Sequence, residues 1–174
     1  MLYDEQLLER IASLGVRSWD DNVFRHMWAE LQPDRENTVG ARWNPPEVPA
    51  IYTAESRDVA LAEAEYQIGM QPIRPKAKRT IYTIRARING VVDISSRDIW
   101  TSLGIREEDL TDVEQRVCRL VGGAAHHVGC AALIVPSARA RGRNLVIYPN
   151  RAAETGGYSF EVLSAEIIDS GQTW

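Results

Sequence analysis

Apolar residues open the chain at helical spacing. Leu7, Leu8, Ile11 and Leu14 share one face, Asp4 stands where an N-cap belongs, and Gly15 follows the end. This pattern predicts a short amphipathic helix over 4–14. From Asn22 to Trp28 aromatic and β-branched residues surround two basic ones, which reads as a strand, and the polar run Gln32 to Asn37 reads as an exposed loop. Pro49 to Thr53 is short, apolar and β-leaning. Ser56 then opens a helix that reaches Ile68, with Asp58 in its first turn to complement the helix dipole.

The second half is more strand-rich. PIRPKAKR (72–79) carries two prolines and four basic residues and predicts a loop or the entry to a strand. Thr80 to Ile88 alternates, with Ile81, Thr83, Arg85 and Arg87 on one face and Tyr82, Ile84, Ala86 and Ile88 on the other, as a half-buried strand does. Val91 to Ile94 extends that strand or pairs with it. Helical signals return at Asp98, break between Gly104 and Thr111, and run from Asp112 to Val128. Ala131 to Val135 and Leu145 to Tyr148 are apolar runs ended by Pro136 and Pro149, and Tyr158 to Ile168 predicts a last strand before a polar tail. No repeat and no interior linker divides the chain. The expectation is one α+β domain over 1–174, with its core about 22–168.

Composition narrows the class. The 174 residues, 44% hydrophobic and 25% charged, suit one globular domain that removes roughly 70% of its unfolded surface from water and needs no disulfide framework. Cys118 and Cys130 lie in or beside one apolar segment without companions at zinc-ligand spacing, so no metal and a reduced, cytoplasmic setting are expected. The acidic amphipathic start is unlike a signal peptide, and no run approaches the about 18 apolar residues of a membrane span. A net charge of −4 speaks against direct nucleic-acid binding, which takes many Lys and Arg on one face.

Candidate chemistry gathers at turns and strand ends, where scaffolds display functional groups. Glu63 lies mid-helix among Ala60, Ala62 and Ala64, whose small side chains allow a ligand to approach; the alternative is a solvated helix carboxylate. Arg42, beside Trp43 and Asn44, has the donor fork for an anion while the indole offers a stacking face, or else anchors its loop. Arg25 between Phe24 and Trp28 has the same two readings. Tyr52 is either a core residue with a wet hydroxyl or part of the site, and Ser137 either a turn residue or a ligand contact. Adjacent His126 and His127 diverge on a helix and are expected to pack. The glycines at 122, 123 and 129 follow a helix rather than a strand, unlike a dinucleotide-binding turn, and no Gly-x-Ser-x-Gly elbow or His-Glu-x-x-His pair occurs.

In order, GARWNPP, PAIYTAES, ALAE and ALIVPSARARGRNLVIYP resemble the RES-domain family, named for its Arg, Glu and Ser, across roughly Phe24 to Tyr148. Its members are the toxin halves of RES–Xre toxin–antitoxin pairs. The resemblance implies an α+β fold similar to ADP-ribosyltransferase toxins, a mixed sheet with flanking helices, and NAD+ as substrate rather than cofactor. It carries Arg25, Arg42, Tyr52, Glu63, Ser137 and Asn144 onto the family's positions. Glu63, Arg42 and Tyr52 are the implied catalytic set, and Arg25, Ser137 and Asn144, with Trp43 and Asn44 of the same ARWNPP motif, the implied NAD contacts. A Gly-Gly-Arg-Trp-Asn pattern is usual there; Ala41 replaces its second glycine, Glu47 stands where a glycine commonly follows the prolines, and Gln67 where His is frequent. The implied activity is cleavage of the nicotinamide–ribose bond by hydrolysis or phosphorolysis, with a carboxylate stabilising the oxocarbenium-like cation. The implied partner is an Xre-type antitoxin in a hetero-oligomer. Two alternatives share this chemistry or lack it: ADP-ribosylation of a host protein acceptor, and an inactive antitoxin-binding module.

Overall fold

The computed structural model describes residues 3–73 and 75–168. Its centre is the long antiparallel pair β1 (Val16–Trp28) and β3 (Arg79–Asp93), in register from Val16 opposite Val92 to Trp28 opposite Arg79. β2 (Ile51–Ala54) runs antiparallel to β5 (Arg143–Ile147), which is antiparallel to β4 (Ala132–Pro136). β4 joins β3 in parallel at Val91 to Asp93, and β6 (Ser159–Ile168) takes the rest of that β3 edge, from Arg79 to Arg87. β1 meets β2 through Phe24 opposite Ala54, so the strands β1-β2-β5-β4-β3 close on themselves at a narrow junction. This is the expected α+β architecture with a mixed sheet.

Two cores lie on opposite faces of these strands. On one, Leu133, Val135, Val146 and Tyr148 pack with Trp43, Trp100 and Ile105 against α1 (Glu5–Ser13), α3 (Arg97–Ser102) and α4 (Arg116–His127). On the other, Val23, Ile84, Ile88, Ile134, Leu145 and Ile147 pack together. Asp4 caps α1 as the sequence predicts, its Oδ1 accepting the Leu7 amide at 3.0 Å, and Leu7 and Ile11 are buried. α4 lies directly on the 42–46 loop, because a Cβ at Gly122 would run into the Trp43 carbonyl.

Several boundaries move for identifiable reasons. α4 starts at Arg116 rather than near Asp112, since Gln115 adopts a left-handed φ of 58° that no helix continues through. A one-turn 3-10 helix, Glu108–Leu110, lies in the predicted break. Pro149 does not only end β5; it occupies the first turn of a helix missed in the sequence, α5 (Pro149–Glu154), where its missing N–H costs nothing. Val91 and Val92 are continuous with β3. Ile81 shares the outward face with Arg85 and Arg87, yet it is buried because α2 (Arg57–Gly69) covers that end with Val59 and Ala60. Arg79, at the end of the run that predicts a loop or the entry to a strand, opens β3 and is fully buried, ion-paired to Glu65 at 2.9 Å. The polar tail beyond 168 lies outside the described residues.

Candidate active site

A cleft of about 520 Å³ opens beside the β1–β2 junction, between the end of β1, helix α2, the 41–43 loop and the 136–139 turn. Arg25, Arg42, Trp43, Tyr52, Glu63 and Asn144 all border it. Six residues from four distant parts of the sequence therefore meet at one opening.

The α2 wall carries the carboxylate. Ser56 caps the helix through Val59 N–H at 3.2 Å, and Ala60 and Ala64 border the cleft on either side of Glu63. These small side chains leave the glutamate reachable, as the alanine pattern suggests. Glu63 Oε1 accepts the Ser137 hydroxyl at 2.7 Å and the Asn144 amide at 3.0 Å. No described residue donates to Oε2, which remains available. Ser137 Oγ also accepts the amides of Arg139 and Ala140, both at 3.2 Å, while its own N–H donates to the Gly142 carbonyl at 2.9 Å. One hydroxyl thus ties the 137–142 turn to the carboxylate. Ser137 is a turn residue, as one of its two sequence readings has it, and it meets the cleft through Glu63 rather than from the border itself.

The opposite wall is built differently. Tyr52 Oη donates to Asn44 Oδ1 at 2.7 Å and accepts the Trp43 amide at 2.9 Å. Asn44 Nδ2 donates to the carbonyls of Asn37 at 3.1 Å and Val48 at 2.8 Å. Asn44 is 0% exposed and off the cleft surface, and its donors and acceptor are engaged in clamping the loop. Trp43 is 3% exposed and belongs mainly to the core under α4, which leaves little indole face for stacking. Tyr52 keeps its ring at the cleft, but burial drives its phenol far above the usual range and both hydrogen-bond directions are used. Proton transfer by Tyr52 has no support in this geometry; an aromatic wall does.

Among the described residues, three arginines border the cleft without an ion pair to a carboxylate. Arg25 donates to the carbonyls of Pro33 at 2.6 Å and Arg35 at 2.7 Å, and burial pushes it down to about 10, still protonated at neutral pH. Arg42 donates to the carbonyls of Asp109 at 3.3 Å and Asp112 at 3.1 Å. Arg139 lies over the Tyr66 ring, 3.3 Å from its centroid. Arginines elsewhere, such as Arg57 with Glu166, Arg143 with Glu55 and Arg151 with Glu154, are paired to carboxylates. Guanidinium groups outside ion pairs around one concavity, with Asp34 acting on Arg25 only at longer range, make it suited to a polyanion. Arg139 and Tyr66 are cleft residues to which sequence reasoning gave no role. The available signal is spacing: Tyr66 stands three positions after Glu63 on one helix face, and Arg139 two after Ser137.

His26 also borders the cleft. Its Nε2 has no hydrogen-bond partner, and burial followed by the nearby Arg79 charge pushes it down to about 4, so the ring is neutral. Cys118 and Cys130 are buried free thiols pushed up to about 11 by burial. Among the described residues no three His, Cys, Asp or Glu side chains gather as a metal site, and no helix is long and apolar enough to cross a membrane.

Known proteins share this fold. The chain is 27% identical over 156 residues to proteins named NAD(+) phosphorylase MbcT from Mycobacterium bovis and Mycobacterium tuberculosis, covering 85% of this chain and 84% of the relative. The fold superposes on the crystal structure of the Mycobacterium tuberculosis MbcT–MbcA toxin–antitoxin complex with a TM-score of 0.82 at 24% identity, covering 96% of this chain and 94% of that one. The RES domain family model matches residues 8–161, and on that match the chain belongs to the RES-domain family.

Proposed function

We propose that the protein cleaves the nicotinamide–ribose bond of NAD+ with inorganic phosphate as acceptor, and that it is the toxin of a toxin–antitoxin pair. The observation that carries this reading is the Glu63 carboxylate, held at Oε1 by Ser137 and Asn144, in a cleft bordered by arginines that lack carboxylate partners. NAD+ presents a pyrophosphate and a ribosyl carbon that turns cationic as nicotinamide departs. Arginines suit the first and a positioned carboxylate the second.

Arg42 and Arg25 bind the pyrophosphate, each through donors not already spent on backbone carbonyls. Glu63 faces the ribose and stabilises the oxocarbenium-like cation through the oxygen that Ser137 and Asn144 leave open. Tyr52 lines the nicotinamide end with its ring, and Asn44 keeps that ring in place from behind. The choice of phosphate follows the relatives' name; hydrolysis and transfer to a host protein acceptor are the outcomes against which it is tested.

An Xre-type antitoxin fits as the silencing partner in a hetero-oligomer. Val113 and Met70 at the cleft border are 73% and 60% exposed, and Val39 nearby is 84% exposed, an apolar rim that a covering protein would bury. The deciding experiment mixes antitoxin-free protein with NAD+, with and without phosphate, and follows nicotinamide and the ADP-ribosyl product. Phosphate-dependent release with ADP-ribose 1″-phosphate as product is the expected result. Free ADP-ribose regardless of phosphate means hydrolysis, release only with cell lysate means protein ADP-ribosylation, and no release under any condition leaves an inactive antitoxin-binding module.

A further inference from the structure

We infer that Arg139, stacked on Tyr66, holds the acceptor phosphate, a second anion distinct from the pyrophosphate of NAD+. The inference rests on the phosphorolytic reading of the cleft and assigns the residue that selects phosphate over water. Among the described residues the Arg139 guanidinium makes no hydrogen bond or ion pair, whereas Arg25 and Arg42 each spend donors on two backbone carbonyls. Its whole donor fork is therefore open. Glu63 is tied to the same turn through Ser137, and among the described residues no ion pair joins it to Arg139.

Position supports the assignment. Ser137 Oγ donates to Glu63 and accepts the Arg139 amide, so the group facing the ribose and the arginine are set by one hydroxyl. Tyr66 lies one turn beyond Glu63 on α2, and its ring orients the guanidinium plane from beneath while leaving the edge donors to an anion. An arginine fork binds two oxygens of a phosphate and leaves a third to attack. In the step, a hydrogen phosphate oxygen forms the new C1″–O bond as the C1″–N bond breaks. Nicotinamide leaves neutral with that electron pair, the product is the ADP-ribose 1″-phosphate monoester, and the phosphate proton stays on the ester or passes to solvent. No redox change occurs.

The test compares wild type, Arg139→Ala, Arg139→Lys and Tyr66→Phe by steady-state kinetics, varying phosphate at saturating NAD+ and NAD+ at saturating phosphate, with product identity read by NMR. For Arg139→Ala the KM for phosphate is expected to rise by at least about tenfold, the worth of a charge-assisted hydrogen bond pair, while the KM for NAD+ stays within about twofold. Product should drift toward free ADP-ribose as water competes. Arg139→Lys should recover part of the phosphate affinity, and Tyr66→Phe, which keeps the ring, nearly all of it. An unchanged KM for phosphate in a folded Arg139→Ala variant, with wild type still phosphate-dependent, overturns the inference alone. A rise confined to the KM for NAD+ moves Arg139 to the pyrophosphate and also overturns it. A wild type indifferent to phosphate overturns the phosphorolytic reading and this inference with it.

Discussion

The two walls of the cleft use similar residues for opposite purposes. On the α2 side, Ser137 and Asn144 point their polar groups at a carboxylate that retains an unbonded oxygen. On the 41–52 side, Asn44 and Tyr52 point theirs at each other and at backbone, and nothing is left over. Residue type does not separate an Asn that serves a ligand from an Asn that serves a loop; hydrogen-bond saturation and burial do. A buried amide with every group satisfied stabilises the fold, whereas a half-satisfied carboxylate beside open space is poised for something else to complete it.

Substitutions on each wall should therefore fail in different assays. Glu63→Gln keeps the shape of the side chain but removes its negative charge, and NAD+ cleavage should fall by about 10³-fold while the melting temperature hardly moves. An active, folded Glu63→Gln protein would make the two walls equivalent and remove the carboxylate from the chemistry. Asn44→Ala should do the reverse. It removes one buried partner from the Tyr52 hydroxyl and from the carbonyls of Asn37 and Val48, of which Tyr52 keeps the Trp43 amide and Asn37 the Ala50 amide, at a cost of about 2 kcal/mol in urea or thermal unfolding. Activity per folded molecule should then fall mainly through a displaced Tyr52 ring.

Ser137→Ala tests the point where the two purposes mix, because this hydroxyl both caps a turn and bonds Glu63. One neutral hydrogen bond contributes about 0.5–1.5 kcal/mol net, so kcat should drop by up to about tenfold with a small loss of stability. An inert Ser137→Ala protein would give the hydroxyl a direct part in the reaction. The smallest effect is expected at Glu47, which holds a φ of 73° in the 41–48 loop. Left-handed φ costs a non-glycine residue about 1 kcal/mol, so Glu47→Gly should raise the melting temperature slightly and leave cleavage untouched. A gain in activity instead would show that the clamped wall moves during turnover. Ala41, another departure from the family pattern, does not share this positive φ; Gly40 before it does, at 100°.

Much of the cleft's lining is legible in the sequence, and the reasons are local. Arg42, Tyr52, Glu63, Ser137 and Asn144 fall within contiguous motifs, and the alanines around Glu63 already signal an accessible helix face. Trp43 and Asn44 were harder to read. Arg42 before them and the two prolines after them read as a displayed loop, and only the close approach of α4 at Gly122 places Trp43 under a helix. Arg79 was missed for the same reason, its basic loop neighbours hiding a burial that α2 and β6 impose together.

The sequence by itself determined the period of each element, the caps at Asp4 and Ser56, the α+β class and the family motifs, since these depend on residues a few positions apart. Tertiary structure decided which polar groups remain unspent. That quantity depends on contacts between residues such as Glu63 and Ser137, or Tyr52 and Asn44, set by how strands close and helices dock rather than by any local pattern.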